Sequence, residues 1–218
     1  MLISHKHKFV TVDIPKTGSR SLRETFQPLN IIDVIGPPDP EDNFYQHATA
    51  ESIRTGFKEF KWDWNEYTKY AIIRNPWDRM YSHFNYFKNQ LELKKCKDWE
   101  TFDPATVHQI KSADALFSRF PDDKTAFIRL LDNWPSQQQY LCTSETLLVD
   151  KIYRFENIRT IFDEIKSVCN ITQDIEFAHA NKGNYKTDST ELYDNELVDI
   201  VAKKEKYIID RFGYKYKG

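Results

Sequence analysis

A glycine-containing turn between a predicted strand and a predicted helix constrains the fold of this chain more than any other feature. Residues Phe9–Ile14 form a mostly apolar, β-branched run that predicts a strand, and the pattern from Ser19 to Phe26 predicts a helix. The turn between them reads Pro15-Lys16-Thr17-Gly18-Ser19-Arg20-Ser21-Leu22. Such a turn directs backbone N–H groups and the positive end of a helix dipole at one point. It therefore predicts an anion site, and an ordinary exposed turn is the alternative.

The turn differs from the Walker pattern of nucleotide-binding proteins. Lys16 precedes Gly18, and no Gly-Lys-Ser/Thr triplet follows. Gly18 lets the backbone approach a phosphate closely. The side chains that offer a hydroxyl group or a positive charge here are Lys16, Thr17, Ser19, Arg20 and Ser21.

A second junction of the same kind follows the predicted strand Tyr70–Arg74. Pro76 ends this strand and suits the first turn of a helix, whose apolar residues recur at helical spacing. Arg74 at the strand end offers a paired N–H fork to a phosphate, and Ser82 offers a hydroxyl about two turns into the helix. Since the carboxyl ends of parallel strands meet at one edge of a sheet, we expect the two junctions to lie together.

The remaining pattern predicts an α/β fold. A strand is predicted at Lys151–Phe155, a helix from Ile158 to Val168, and a last helix from Glu191 to Phe212 capped by Asp188. Strands that alternate with helices predict a three-layer fold with a central, mainly parallel sheet flanked by helices. The length of 218 residues predicts one domain over residues 1–218.

Composition excludes several functional classes. The chain has 31 Lys and Arg against 33 Asp and Glu, a net charge of −2, so general binding to nucleic acid or to anionic membranes is not expected. No apolar run approaches the roughly 20 residues of a membrane span, and no signal-peptide core begins the chain. The three cysteines form no CxxC pair. We expect free thiols, a cytoplasmic location and no metal site.

Together the two junctions resemble those of the sulfotransferases that use 3′-phosphoadenylyl sulfate (PAPS). In that family a PKTG-type loop binds the 5′-phosphosulfate and an R-[ND]-P-x-[DE]-R-x-x-S segment binds the 3′-phosphate, in the order found here. The resemblance is closest to the branch that includes carbohydrate O-sulfotransferases. It extends more loosely to residues 46–50, 149–157 and 181–185 and to the closing helix through Phe212-Gly213-Tyr214. It implies a P-loop-like fold, PAPS as sulfuryl donor and adenosine 3′,5′-bisphosphate as product.

The resemblance also implies roles for individual residues. Lys16 neutralises charge on the leaving oxygen, and His47 is the base that takes the proton of an acceptor hydroxyl. The implied donor-binding residues are Lys16, Thr17, Gly18, Ser19, Arg20, Ser21, Arg74, Ser82, Lys182 and Tyr185. Arg20 departs from the small hydroxyl residue common in the family at this position. The acceptor is predicted to be a glycan or another small molecule that carries a hydroxyl group.

Other interpretations stay open at this stage. The alternative functions for the chain as a whole are a P-loop nucleotide kinase and a catalytically silent nucleotide-binding module of the same fold. Without the family resemblance, His47 would be interpreted as a surface or helix-capping residue. Glu51 is a weaker candidate for the base. Asp78 and Arg79 are interpreted as solvated helix residues. Aromatic spacing predicts core packing for Trp62, Trp64, Tyr67 and Tyr70.

Overall fold

The computed structural model describes residues 1–37, 43–144, 146–178 and 192–217, which belong to two compact units. The first unit comprises Met1–Asn75 and Gln137–Gly183, and the second comprises Pro76–Ser136 and Asn184–Gly218. The strands are β1 (Leu2–Ser4), β2 (Phe9–Val12), β3 (Val34–Ile35), β4 (Thr68–Ile73), β5 (Cys142–Thr143), β6 (Thr146–Leu147) and β7 (Lys151–Arg154). The α-helices are α1 (Ser19–Phe26), α2 (Ala50–Glu59), α3 (Pro76–Lys94), α4 (Pro104–Arg119), α5 (Asp123–Asn133), α6 (Gln137–Leu141), α7 (Arg159–Val168), α8 (Asn195–Lys204) and α9 (Lys206–Phe212). Single 3-10 turns occupy Gln27–Leu29, Trp64–Glu66, Trp99–Thr101 and Phe155–Asn157.

The first unit is built on a sheet with the strand order β3-β1-β2-β4-β7. β4 is parallel to both of its neighbours, β2 and β7, whereas β1 pairs antiparallel with β2 and with β3. The predicted α/β fold with a central, mainly parallel sheet flanked by helices is therefore confirmed. The antiparallel strands at one edge were not predicted, because β1 and β3 have only three and two residues and carry too little periodicity.

Strand β4 is the centre of the sheet. Its last five residues are buried, as expected for a parallel strand that is covered on both faces. Tyr70 and Ile72 belong to a hydrophobic cluster with residues of α1 and α7, among them Leu22, Phe26 and Ile161. Since β2, β4 and β7 run in the same direction, the loops that follow them leave the sheet at a common edge.

Two helix boundaries follow from side-chain caps. The Thr49 side chain accepts a hydrogen bond from the Ser52 N–H and starts α2. The Asp194 side chain accepts one from the Leu197 N–H and starts α8. The single last helix predicted for 191–212 is wrong, because the chain forms α8 and α9, which meet at Glu205. The predicted cap, Asp188, lies outside the described residues.

The second unit is helical and contains a buried ion pair. Arg79 of α3 is fully buried, and its Nη1 donates to Glu205 Oε1 at 2.8 Å. Its Nη2 donates to the Pro135 carbonyl oxygen at 3.2 Å. The interpretation of Arg79 as a solvated residue is therefore wrong. A buried charge needs a partner of opposite sign and further hydrogen bonds, and Arg79 has both.

Two expectations from composition concern thiols and membrane spans. Cys96 is exposed, Cys142 and Cys169 are buried, and all three are free thiols, as predicted. Within the part of the chain that the structure describes, no helix combines the length and the apolar character needed to cross a membrane.

Candidate active site

The turn between β2 and α1 has an unusual backbone. Lys16 and Gly18 both have positive φ, 69° and 87°. Left-handed residues in a turn bring successive N–H groups to one concave side, which suits an anion. The Thr17 hydroxyl donates to the Ile14 carbonyl oxygen at 2.8 Å, and the Ser21 N–H donates to the Gly18 carbonyl oxygen at 3.0 Å. The turn is thus closed by its own hydrogen bonds, and α1 begins directly after it.

Gly18 is required for a second reason besides its φ. A Cβ atom at this position would lie 2.6 Å from Ile158 Cδ1 and 2.9 Å from a ring carbon of Phe155. The segment after β7 therefore packs directly on the turn after β2. This contact ties two of the loops at the common sheet edge together.

We expect Gly18→Ala to lower the free energy of unfolding by about 3 kcal/mol. The alanine would be strained in the left-handed conformation, and its Cβ would overpack against Ile158 and Phe155. For a chain of this size the melting temperature should fall by about 6–12 °C. Gly213→Ala is the matched control, because Gly213 also has positive φ, 64°, but has no atom within 4 Å of the added Cβ. It should lose only about 1 kcal/mol. If the two variants lost the same free energy of unfolding, the packing role of Gly18 would be contradicted.

Lys16 and Arg74 approach each other at this edge. Arg74 follows β4, and its Nη1 donates to the Lys16 carbonyl oxygen at 3.2 Å. The Arg74 guanidinium also lies over the Phe155 ring, 4.5 Å from its centroid. Burial, and secondarily the nearby Arg74 charge, lower the pKa of Lys16 to about 8. Two positive side chains held this close form a site that favours an anion.

The backbone of Arg74 is fixed by side chains from elsewhere in the first unit. The Arg74 N–H donates to Gln137 Oε1 at 2.9 Å, and Gln137 Nε2 donates to the Arg74 carbonyl oxygen at 3.0 Å. The next N–H, that of Asn75, donates to Glu156 Oε1 at 2.9 Å. Sequence reasoning missed Gln137, since a glutamine run carries no motif. Phe155 and Glu156 lie in the segment 149–157 that resembles the family, but no contact with Arg74 or Asn75 was predicted for them.

His47 lies beside the start of the turn between β2 and α1. Its Nδ1 is 2.8 Å from the Asp13 carbonyl oxygen. A carbonyl oxygen only accepts, so Nδ1 carries the ring proton of the neutral imidazole and Nε2 carries the lone pair. Burial lowers the pKa of His47 below its ordinary value. The neutral form, which is able to accept a proton at Nε2, therefore predominates at pH 7.

The other predicted site residues lie in four different places. Thr17, Ser19 and Ser21 are buried at the turn. The Arg20 guanidinium is exposed and pairs with Glu24 at 2.6 Å. Ser82 lies in α3 of the second unit and is partly exposed. Lys182 and Tyr185 lie outside the described residues.

The structure also describes Glu51, the alternative candidate base, and the aromatic residues between positions 62 and 70. Glu51 pairs with Arg54 at 2.8 Å on the partly exposed face of α2. Tyr67 and Tyr70 are buried, and the Trp62, Trp64 and Tyr67 rings pack edge-on against Phe57. The prediction of core packing is confirmed for Tyr67 and Tyr70, whereas Trp62 and Trp64 are half-buried.

Comparison with known proteins gives one match. A family model described as the sulfotransferase family matches residues 1–216, which is almost the whole chain. No curated protein and no solved structure matches it. The family match spans both strand-to-helix junctions and the segment after β7. The chain therefore belongs to the sulfotransferase family, the transferases of sulfur-containing groups.

Proposed function

We propose that this protein transfers the sulfuryl group of PAPS to a hydroxyl group of a glycan or another small-molecule acceptor. The observation that supports this proposal best is the approach of Lys16 to Arg74 at the carboxyl ends of two adjacent parallel strands. PAPS carries a 5′-phosphosulfate and a 3′-phosphate, and it supplies the activated sulfuryl group when bound. The residues present fit such an anion, because Lys16 and Gly18 have the left-handed backbone that suits an anion-binding turn, and the Arg74 guanidinium contacts that turn at the Lys16 carbonyl.

Each residue of the turn has a task in this proposal. The backbone N–H groups and the side chains of Thr17, Ser19 and Ser21 bind the 5′-phosphate oxygens, with Arg20 available from α1. Lys16 holds its ammonium group beside the oxygen that links phosphorus to sulfur. Since negative charge grows on that oxygen as the S–O bond breaks, the ammonium stabilises the transition state more than the ground state.

Arg74 and Ser82 bind the 3′-phosphate, and Lys182 and Tyr185 are proposed as further donor contacts. The planar guanidinium matches two phosphate oxygens at once. A 3′-phosphate distinguishes PAPS from ATP and ADP, so Arg74 is the residue that selects this donor.

His47 acts on the acceptor. Its Nε2 lone pair takes the hydroxyl proton while the acceptor oxygen forms its bond to sulfur. The bond between sulfur and the phosphate oxygen breaks in the same displacement, and the electron pair stays on the phosphate. The hydrogen bond from Nδ1 to the Asp13 carbonyl keeps the ring in the tautomer that this step needs.

We expect a bell-shaped dependence of kcat/KM on pH. His47 must be neutral to act as a base. Because its pKa is lowered, the fall in activity on acidification should occur below pH 6.5, the ordinary pKa of histidine. Lys16 must be charged, so activity falls as the pH rises through about 8. Initial rates between about pH 5 and about pH 10 measure both limbs of the free enzyme. A flat profile above neutral pH would exclude Lys16 as the titrating group.

The proposed donor is tested by thermal unfolding with adenosine 3′,5′-bisphosphate, ADP and adenosine 5′-phosphate. A ligand at about 100 times its Kd stabilises the protein by roughly 2.7 kcal/mol, which raises the melting temperature by about 5–10 °C here. The proposal predicts this rise for the 3′,5′-bisphosphate alone. An equal rise with ADP would favour a nucleotide kinase. Donor binding without sulfuryl transfer to any hydroxyl acceptor would indicate a silent binding module.

A further inference from the structure

Arg74 stands at the point where the sheet ends. In the register of β4 with β7, the last pair is Ile73 with Arg154, and the register with β2 ends earlier, at Ala71. Arg74 is therefore the first residue beyond the paired register, and its N–H and C=O groups form hydrogen bonds outside the strand pairs. Buried backbone groups need hydrogen bonds from another source.

Gln137 supplies both of these hydrogen bonds. Its primary amide presents one acceptor and one donor on the same side, as a neighbouring strand would, and it bonds the N–H and the C=O of Arg74 at 2.9 Å and 3.0 Å. The side chain is fully buried at the start of α6, so water does not compete for these groups. Gln137 therefore extends the strand geometry by one residue.

The direction of the Arg74 side chain follows from this arrangement. Its Cα–Cβ bond is set by the backbone that Gln137 holds, and its guanidinium contacts the Lys16 carbonyl and the Phe155 ring. A small rotation of the backbone displaces the end of a long side chain strongly. A misplacement of about 1 Å in a binding group is enough to lower activity severely.

We propose that Gln137 is a positioning residue, which acts through Arg74 to set the preference of the site for a nucleotide that carries a 3′-phosphate. The inference rests on the proposed function, in which Arg74 binds that phosphate. Gln137 itself contacts no substrate.

The test compares the affinity of adenosine 3′,5′-bisphosphate with that of adenosine 5′-phosphate by titration calorimetry. Gln137→Met keeps the length of the side chain and removes both hydrogen bonds. We expect about tenfold weaker binding of the bisphosphate and unchanged binding of the 5′-phosphate. Gln139→Met is the matched control, because Gln139 is exposed on the same helix. It should change neither affinity.

A double-variant cycle separates positioning from general destabilisation. In an Arg74→Ala background, Gln137→Met should have no further effect on the bisphosphate, since its partner is already lost. Equal weakening of both nucleotides, or an undiminished effect in that background, would overturn the inference. If Gln137→Met does not fold, Gln137→Glu keeps the acceptor for the Arg74 N–H and removes the donor, and the same selective loss is expected. Wild-type protein that binds both nucleotides equally would instead contradict the proposed function.

Discussion

Replacement of His47 by alanine is expected to lower turnover by about 10²–10⁴-fold, the usual contribution of a general base. Among the described residues the imidazole forms one hydrogen bond, from Nδ1 to the Asp13 carbonyl, and its loss removes only a partly buried contact. We therefore expect the melting temperature and the affinity for adenosine 3′,5′-bisphosphate to stay close to those of the wild type. Steady-state rates with saturating PAPS and acceptor measure the effect.

The control for this variant is His108→Ala, which removes an exposed imidazole from α4. It should leave turnover unchanged. A His47→Ala enzyme with a near-normal rate would contradict the assignment and would direct attention to Glu51. Glu51→Gln then becomes informative, because it keeps the size of the side chain and removes its basicity.

Lys16→Met is expected to lower turnover by about 10²–10³-fold, the effect of removing one group that stabilises charge in a transition state. The alkaline limb of the pH profile should disappear with it, because the limb arises from the Lys16 ammonium. Methionine and lysine have similar stems and bear the same strain at positive φ. A buried cation near Arg74 is also removed, so the fold should not be weakened. Rates measured across the pH range, with circular dichroism on the same samples, test this.

Two further variants test whether the effect of Lys16→Met comes from the loss of its charge. Lys16→Arg restores a charge that does not titrate below pH 12, so part of the rate should return without the alkaline limb. Lys58→Met removes an exposed lysine from α2 and should change nothing. An alkaline limb that persists in Lys16→Met would assign the titration to another group.

The sequence predicted those parts of the fold whose signals are local. The turn around Gly18 and the strand before Arg74 can each be recognised from about ten neighbouring residues. The signals are a glycine, a proline and a run of β-branched residues. The family resemblance supplied the expected role of His47. The cap of α2, Thr49, follows His47 by two residues.

The parts that sequence reasoning missed depend on distant partners. Gln137 is 63 residues from Arg74, and its role is set by the position at which α6 begins. The error at Arg79 has the same origin, because its partner, Glu205, is 126 residues away. Gln137 stands in no recognised motif, and the motif that includes Arg79 does not indicate that its side chain is buried.

The parallel register of β4 has a consequence for the synthesis of the chain. β4 pairs with β2 about 60 residues earlier and with β7 about 80 residues later. Contacts of such long range slow folding. A nascent chain that ends before Lys151 exposes the apolar edge of its central strand, and Phe155 has not yet been made. The first unit is therefore prone to aggregation until β7 has left the ribosome, and truncations short of this strand should be insoluble.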